Sequence, residues 1–143
     1  MTTAKKSIIV NAPLEIVFLF LDDPLSMLEY WPSMVDVRDI QVLPNGGRKL
    51  NWTYKMAGIR LEGSSEDIEY EPRHRSVSKS SGGIDAIHTV VMEPAGSGTR
   101  VEWSVDYTIP MPVFGKLAEA VIVKLNDHEL DSILSNIKTR MEA

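Results

Sequence analysis

The stretch TRVEWSVDYTIPMPVFGKLAEAV, residues 99–121, decides the fold of this chain. Up to Ile109, apolar and polar side chains alternate, which is typical of a strand with one buried face. Pro110 and Pro112 follow, and the longest helical pattern of the chain, residues 113–141, begins directly after them. Because proline ends strands and is tolerated in the first turn of a helix, the stretch predicts a stiff corner between the last strand and a long helix.

Upstream of this corner the pattern predicts a strand ending at Val10, two short helices (residues 14–23 and 23–32) and six strands from Met34 onward. The first helix is apolar almost all round, so we expect it to lie between two layers. Short turns join the six strands, which predicts an antiparallel meander whose apolar face the long helix covers. The expected class is α+β, in the order β-α-α-β6-α.

Three strands carry local signals. The inward phase of the first strand of the meander switches near Asp39, which predicts a bulge. Gly63 is a predicted weak point in the later strand at residues 59–71. The segment RHRSVSKS, residues 73–80, either attracts an acidic headgroup or forms a solvated edge strand that discourages pairing between sheets.

The long helix has two apolar stripes. Phe114, Leu117, Ala118, Val121 and Leu125 form the first, and the second, which includes Leu130, Ile133, Ile137 and Met141, is rotated from it. Either the helix bends near residues 126–127, or its halves meet different surfaces.

The composition narrows the class of protein. The 143 residues fit one domain, 1–143, and the net charge of −5 argues against a nucleic-acid partner. There is no cysteine, so disulfides and thiolate metal sites are excluded. The three histidines lie far apart without ligand spacing, and no phosphate-binding or nucleophile motif occurs. We expect no metal, no cofactor, no signal peptide, no transmembrane segment and a cytoplasmic location.

Four segments resemble the helix-grip fold, the superfamily of START lipid-transfer domains, polyketide cyclases and birch-pollen-allergen-like proteins (SRPBCC). They are IIVNAPLEIVFLFLDDP (8–24), EYWPSMVDVRDI (29–40), TRVEWSVDYTIPMP (99–112) and GKLAEAVIVKLNDHELDSILSNIKTRME (115–142). The last pair looks most like the polyketide cyclase/dehydrase and coenzyme-Q-binding START-like branch. This resemblance implies a ligand cavity between a curved sheet and the C-terminal helix.

Alternate turns of a meander lie at the same end, so three connections should meet at the mouth of that cavity. They are the turn at Ala57 and Gly58, the loop with Gly82 and Gly83, and the corner held by Pro110 and Pro112. The two glycine loops would move, and the prolines would either fix a gate or only end a strand and start a helix.

Large apolar side chains with polar tips are the expected walls of a small-molecule pocket. The candidate ligand-binding residues are Trp52, Tyr54, Met56, Leu61, His88, Val90, Trp103, Val105, Tyr107, Leu117, Val121 and Leu125.

His88 is the candidate acid/base group, because it falls in the inward set of its strand. Alternatively, it is a core histidine satisfied by Tyr107 or Tyr54. Glu129 and His128 either close the inner end of the cavity or are solvated.

The leading hypothesis is a module that binds one hydrophobic small molecule, such as a lipid, an isoprenoid quinone or a polyketide-like aromatic. The alternative is an aromatase/cyclase-type enzyme that uses His88 in the same cavity. A third is an interaction module in which Ile122 and Val123 meet a partner or a second copy, so the protein is expected to be a monomer or a homodimer.

Overall fold

The computed structural model describes residues 2–56, 58–82, 85–108 and 119–143. Their order along the chain confirms the predicted β-α-α-β6-α arrangement. The elements are β1 (Thr2–Val10), α1 (Leu14–Asp22), a 3-10 turn (Pro24–Ser26), α2 (Met27–Tyr30), β2 (Met34–Val42), β3 (Arg48–Met56), β4 (Ile59–Glu71), β5 (Arg75–Ser81), β6 (Asp85–Ala95), β7 (Gly98–Thr108) and α3 (Glu119–Glu142).

The strands form one seven-stranded sheet in the order β1-β7-β6-β5-β4-β3-β2, and every pair is antiparallel. The six later strands therefore form the predicted meander. β1 pairs with β7 over its whole length, with Thr2 opposite Tyr107 and Val10 opposite Thr99. The α+β class and the helix-grip fold are confirmed, because a long C-terminal helix accompanies this sheet.

Two predictions within the strands are confirmed. The register of β2 against β3 shifts between Arg38 and Gln41, and Asp39 there has a φ of 55°. This is the predicted bulge, and a short polar side chain tolerates such a backbone better than most. The predicted inward row of β3, which ends at Met56, is buried throughout.

The prediction that α1 is sandwiched between two layers is wrong. Val17 and Phe18 are buried and α1 contacts β6 and β7, but Ile16 and Leu19 are 53% and 59% exposed. A helix packed against one sheet buries one face, so an apolar composition all round did not require two covering layers.

The interpretation of residues 73–80 as a solvated edge is also wrong. β5 lies in the middle of the sheet, paired with β4 on one side and β6 on the other. Backbone pairing on both sides holds this polar strand in place, whatever the preference of its side chains.

The face of α3 that meets the sheet is a single stripe, and it differs from the predicted first stripe. Ile122, Leu130, Ile133 and Ile137 are buried, whereas Val121 is 54% exposed. The inward positions 126 and 129 carry Asn and Glu. A helix face chosen by hydrophobicity alone therefore differs from the face that meets the sheet. Ile122 is therefore part of the core and not of a partner surface. Among the described helices, none is long and apolar enough to cross a membrane.

Candidate functional site

A cavity of about 190 Å³ lies between the sheet and the helices. Its walls come from all three helices and from strands β2 to β7, so the sheet curves around it. A single water needs only about 10–15 Å³ of such volume, which means that the cavity has room for an organic molecule.

One wall is a cluster of rings, which we call the aromatic cluster: Trp31, Trp52, Tyr54, His88 and Trp103. The Trp31 ring stands edge-on to three of them, with centroid distances of 6.3 Å to Tyr54, 5.3 Å to His88 and 5.4 Å to Trp103. Edge-to-face packing of this kind is favoured by the charge distribution of aromatic rings. Sequence reasoning missed Trp31, which follows the short helix α2, and no periodic pattern marks it.

Gly63 positions Trp52 and is no weak spot, since β4 runs through it without a break. A Cβ atom at residue 63 would lie 2.7 Å from Trp52 Cζ2 and 2.3 Å from the carbonyl oxygen of Ser81. Both distances are far below van der Waals contact. The absence of a side chain therefore lets the indole ring of the neighbouring strand lie directly on the backbone.

The protonation state of His88 follows from its partner. Trp103 Nε1 donates a hydrogen bond to His88 Nδ1 over 3.1 Å. Because an indole nitrogen only donates, Nδ1 must carry a lone pair, and the proton of the neutral ring then sits on Nε2. Burial lowers the pKa of His88 to about 4. At neutral pH His88 is therefore uncharged, and its partner is Trp103 rather than the expected Tyr54 or Tyr107.

Glu129 is the buried acid of the site, with only 8% of its surface exposed. Its carboxylate accepts hydrogen bonds from the backbone nitrogen of Ser33 at 3.2 Å and from Ser33 Oγ at 2.5 Å. Burial and, secondarily, the charge of Glu129 raise the pKa of Tyr54. The neighbouring His128 is exposed, so of the pair only Glu129 borders the cavity.

A row of hydroxyls on β5 also lines the cavity, and sequence reasoning missed its direction. Ser76, Ser78 and Ser80 alternate along the strand and face inward. Ser78 Oγ donates to Asp67 Oδ1 over 2.7 Å, and Ser80 Oγ lies 3.4 Å from Ser65 Oγ. The alternation of serine with other residues in SVSKS, residues 76–80, was the sequence signal that could have revealed this row.

A polar network ties the end of α1 to the sheet at the cavity. The Tyr70 hydroxyl donates to Asp22 Oδ1 over 2.6 Å, and Arg48 Nη2 lies 3.4 Å from Asp22 Oδ2. Burial and the hydrogen bond to Asp22 raise the pKa of Tyr70 to about 12. These groups satisfy one another. Across the described residues, no group of three or more His, Asp or Glu side chains is placed to hold a metal ion.

The structure brings most of the predicted site residues to one cavity. The predicted residues that line it are Trp52, Tyr54, His88, Val90, Trp103, Val105 and Tyr107. Met56 and Leu61 are buried in the hydrophobic cluster around Trp52 but lie outside the lining.

The remaining predicted residues fall elsewhere. Val121 and Leu125 are 54% and 36% exposed and lie outside the cavity lining, because the inward face of α3 passes through residues 122, 126 and 129 instead. Gly58 and Gly82 have φ angles of 77° and 104°, which glycine adopts without strain. Leu117, Ala57, Gly83, Pro110 and Pro112 lie outside the described residues.

Comparison with known proteins agrees with this architecture. Residues 1–142 match the family described as polyketide cyclase / dehydrase and lipid transport. The chain belongs to this family. No sequence among the curated proteins matches it.

Several solved structures have the same fold as this chain, although their sequence identity to it is low. An aromatase/cyclase from a Streptomyces species is 15% identical with a TM-score of 0.83, over 99% of this chain and 93% of that one. A START superfamily protein from Mycobacterium smegmatis is 14% identical with a TM-score of 0.79, over 98% and 97%. A Thermus thermophilus protein is 23% identical with a TM-score of 0.79, also over 98% and 97%.

Proposed function

We propose that the chain binds one hydrophobic or amphipathic small molecule, such as a lipid, an isoprenoid quinone or a polyketide-like aromatic, for transport, storage or presentation. The observation that carries this proposal is the cavity of about 190 Å³ walled by the aromatic cluster. Burial of apolar surface would supply the affinity. Membership of a family that includes lipid-transport proteins supports the same function.

The proposed ligand-binding residues are the predicted residues that line the cavity, together with Trp31. Met56 and Leu61 are proposed to support these residues by packing in the cluster around Trp52. Gly58 and Gly82 are proposed as hinges of loops at the cavity mouth, since the β3–β4 and β5–β6 connections lie at the same end of the sheet. We further propose that residues 1–143 act as one START-like domain in the cytoplasm, as a monomer or homodimer without nucleic acid. The net charge of −5 and the lack of cysteine support this.

The protonation state and the hydrogen bond of His88 favour ligand binding over acid–base catalysis. Its Nδ1 lone pair is occupied by the Trp103 indole, and its Nε2 already carries the proton. Such a ring has no free lone pair with which to remove a proton from a substrate. An aromatase/cyclase reaction in this cavity would need a different base.

Binding is tested by filling the cavity. Ala86 lines it, whereas Ile87, the next residue of β6, is not among the lining residues. The neutral fluorescent probe N-phenyl-1-naphthylamine should bind the wild type at one molecule per chain. Ala86→Phe should abolish this binding, and the matched Ile87→Phe should leave it intact. Mass spectrometry of the purified protein, native and after solvent extraction, would identify any ligand that accompanies it.

Two results would contradict the proposal. One is the absence of any bound apolar molecule in the extract together with no probe binding by the wild type. The other is probe binding that Ala86→Phe leaves unchanged, because the probe would then occupy another surface.

A further inference from the structure

A second space, which we call the outer cleft, lies beside the cavity and has a volume of about 240 Å³. The described residues that line it are Pro32, Ser33, Lys55, Met56, Leu125, His128, Glu129 and Ser132. Lys55 and His128 are exposed, so the outer cleft opens to solvent. Of its described lining, only Glu129 also lines the cavity. The Glu129 side chain therefore stands between the cavity and solvent.

The partition between the two spaces is a single segment of chain, residues 31–34. Trp31 and Met34 line the cavity, whereas Pro32 and Ser33 line the outer cleft. A segment that borders a space on each side has no further layer of chain behind it. One thickness of backbone thus separates the aromatic cluster from the outer cleft.

This segment is held by different kinds of bond on its two sides. Towards β3 the bonds are between backbones: Lys55 N donates to the carbonyl oxygen of Ser33 over 2.8 Å, and Met34 pairs with Tyr54 in the sheet. Towards α3 the Glu129 carboxylate accepts from Ser33 N at 3.2 Å and from Ser33 Oγ at 2.5 Å. A change of one side-chain rotamer breaks the second set, whereas breaking the first requires two strands to separate. The contact between residues 31–34 and α3, which we call the seam, is therefore where the partition can open.

Further contacts with α3 hold the preceding helix α2 in place. Asn136 Nδ2 donates to the carbonyl oxygen of Tyr30 over 3.1 Å, and Arg140 Nη2 lies 2.6 Å from Glu29 Oε1. With α2 fixed, opening of the seam displaces the chain after Tyr30. That chain begins with Trp31, the ring at the centre of the aromatic cluster.

The walls of the outer cleft are suited to an apolar molecule in transit. Pro32, Met56 and Leu125 supply apolar surface, and Lys55 and His128 supply the polar rim. A molecule that leaves the cavity here passes from the aromatic rings to aliphatic side chains before it meets water. Adaptable contacts of this kind are typical of methionine.

We propose that the seam is a second opening of the cavity, closed by the hydrogen bonds from Ser33 to Glu129. A ligand passes between the cavity and the outer cleft when these bonds break and Trp31 moves aside. The opening differs from the mouth proposed at the loops of Gly58 and Gly82, because neither glycine lines the outer cleft. This inference rests on the proposed function, since it gives the route of the ligand that the cavity holds.

The first test measures how fast a probe enters and leaves. Stopped-flow fluorescence gives the association and dissociation rate constants of N-phenyl-1-naphthylamine. Ser33→Ala removes one donor to Glu129 and leaves the cavity lining intact, because Ser33 is not part of it. A gate raises the barrier to entry and to exit alike, so its loss should raise both rate constants by the same factor and leave the Kd unchanged. We expect about a tenfold rise, the factor for one hydrogen bond to a charged group.

A matched control removes the same kind of bond elsewhere. The Thr3 hydroxyl donates to Asp106 Oδ1 over 2.6 Å, and neither residue lines the cavity or the outer cleft. Thr3→Val should therefore leave both rate constants at their wild-type values.

A reversible cross-link tests the seam in the opposite direction. Ser33 and Ser132 line the outer cleft from its two sides, and the chain has no cysteine of its own. In the double variant Ser33→Cys and Ser132→Cys, a short bis-methanethiosulfonate should join the two thiols and slow both rate constants at least tenfold. Dithiothreitol should restore them. The comparison is made within one protein, so it remains decisive if Ser33→Ala does not fold.

The outcomes separate the two proposals. Unchanged rate constants in Ser33→Ala, or equal rate constants with and without the cross-link, overturn the second opening and leave the binding function standing. A higher Kd with an unchanged association rate constant also overturns it, because Ser33 would then support the cavity wall without gating it. Absence of probe binding by the wild type overturns the proposed function, and this inference with it.

Discussion

The two halves of α3 pack in different ways, although both belong to one unbroken helix. In the C-terminal half, Leu130, Ile133, Leu134 and Ile137 are at most 3% exposed and join a core with residues of β1, β7 and α1. In the first half, Ile122 is buried against the Trp52 cluster, and the next inward residues are polar.

This difference separates a region that stabilises the fold from a region suited to recognition. A closed apolar core supplies free energy of folding but offers no space and no hydrogen-bonding group to a ligand. The first half has less apolar packing, because Asn126 and Glu129 occupy inward positions beside the cavity. The same helix thus anchors the sheet through Ile137 and borders the cavity through Asn126, Glu129, Leu130 and Ile133.

The largest expected effect compares isoleucine-to-alanine changes in the two halves. Ile137→Ala should lower the free energy of unfolding by about 4 kcal/mol, because its site is closed on all sides and the new void cannot collapse. Ile122→Ala should cost about 2 kcal/mol, because its cluster adjoins the cavity and the neighbouring side chains can relax into the space it leaves. Urea unfolding of both variants measures the difference. Equal losses would show that the two halves are packed alike.

The stability of the protein is expected to depend on pH through His88, which lines the cavity from β6. The ordinary pKa of histidine is 6.5, and burial lowers that of His88 to about 4, so the unfolded chain binds a proton that the native state rejects. The His88 contribution to stability is therefore complete above pH 6.5 and is lost as the pH falls. By pH 4 the loss should reach about 3 kcal/mol.

The variant His88→Gln isolates this effect, since its side-chain oxygen can still accept from Trp103 and it does not titrate. Urea unfolding of both proteins at pH 7.5 and pH 4 gives the comparison, and other acid-sensitive groups cancel between them. If His88→Gln loses as much stability on acidification as the wild type, His88 is not held neutral by the fold.

The smallest expected effect concerns two adjacent residues of α3, one exposed and one buried. Val121 is 54% exposed, so Val121→Ser should change the free energy of unfolding by no more than about 0.5 kcal/mol. Ile122 is 1% exposed, and Ile122→Ser should cost several times more because it also buries a hydroxyl. Thermal or urea unfolding of the two variants measures both changes in stability. A costly Val121→Ser would restore the predicted stripe through Leu117, Val121 and Leu125.

The fold could be predicted from the sequence because its signals are local. Alternation along β3 and β7 marks the inward faces, and the phase change at Asp39 marks the bulge. Both signals depend on the backbone period of two, which holds in any context.

The candidate site could be predicted only in part. Tyr54, Trp103 and His88 were found because they occupy inward positions of strands. Trp31, Asn126 and Glu129 were missed or left open, since their importance depends on what lies opposite them across the cavity. Helix periodicity judged by hydrophobicity alone assigns Val121 and Leu125 inward, because it treats every inward position as apolar.

The sequence by itself determined the number and order of elements, the bulge at Asp39 and the inward rows of β3, β6 and β7. Only the tertiary structure decided that β5 is central, that its serines face a cavity and that Trp103 fixes the proton of His88. It also decided which face of α3 meets the sheet. Local backbone preferences act over a few residues, whereas burial and hydrogen-bond pairing depend on segments far apart in the chain that folding alone brings together.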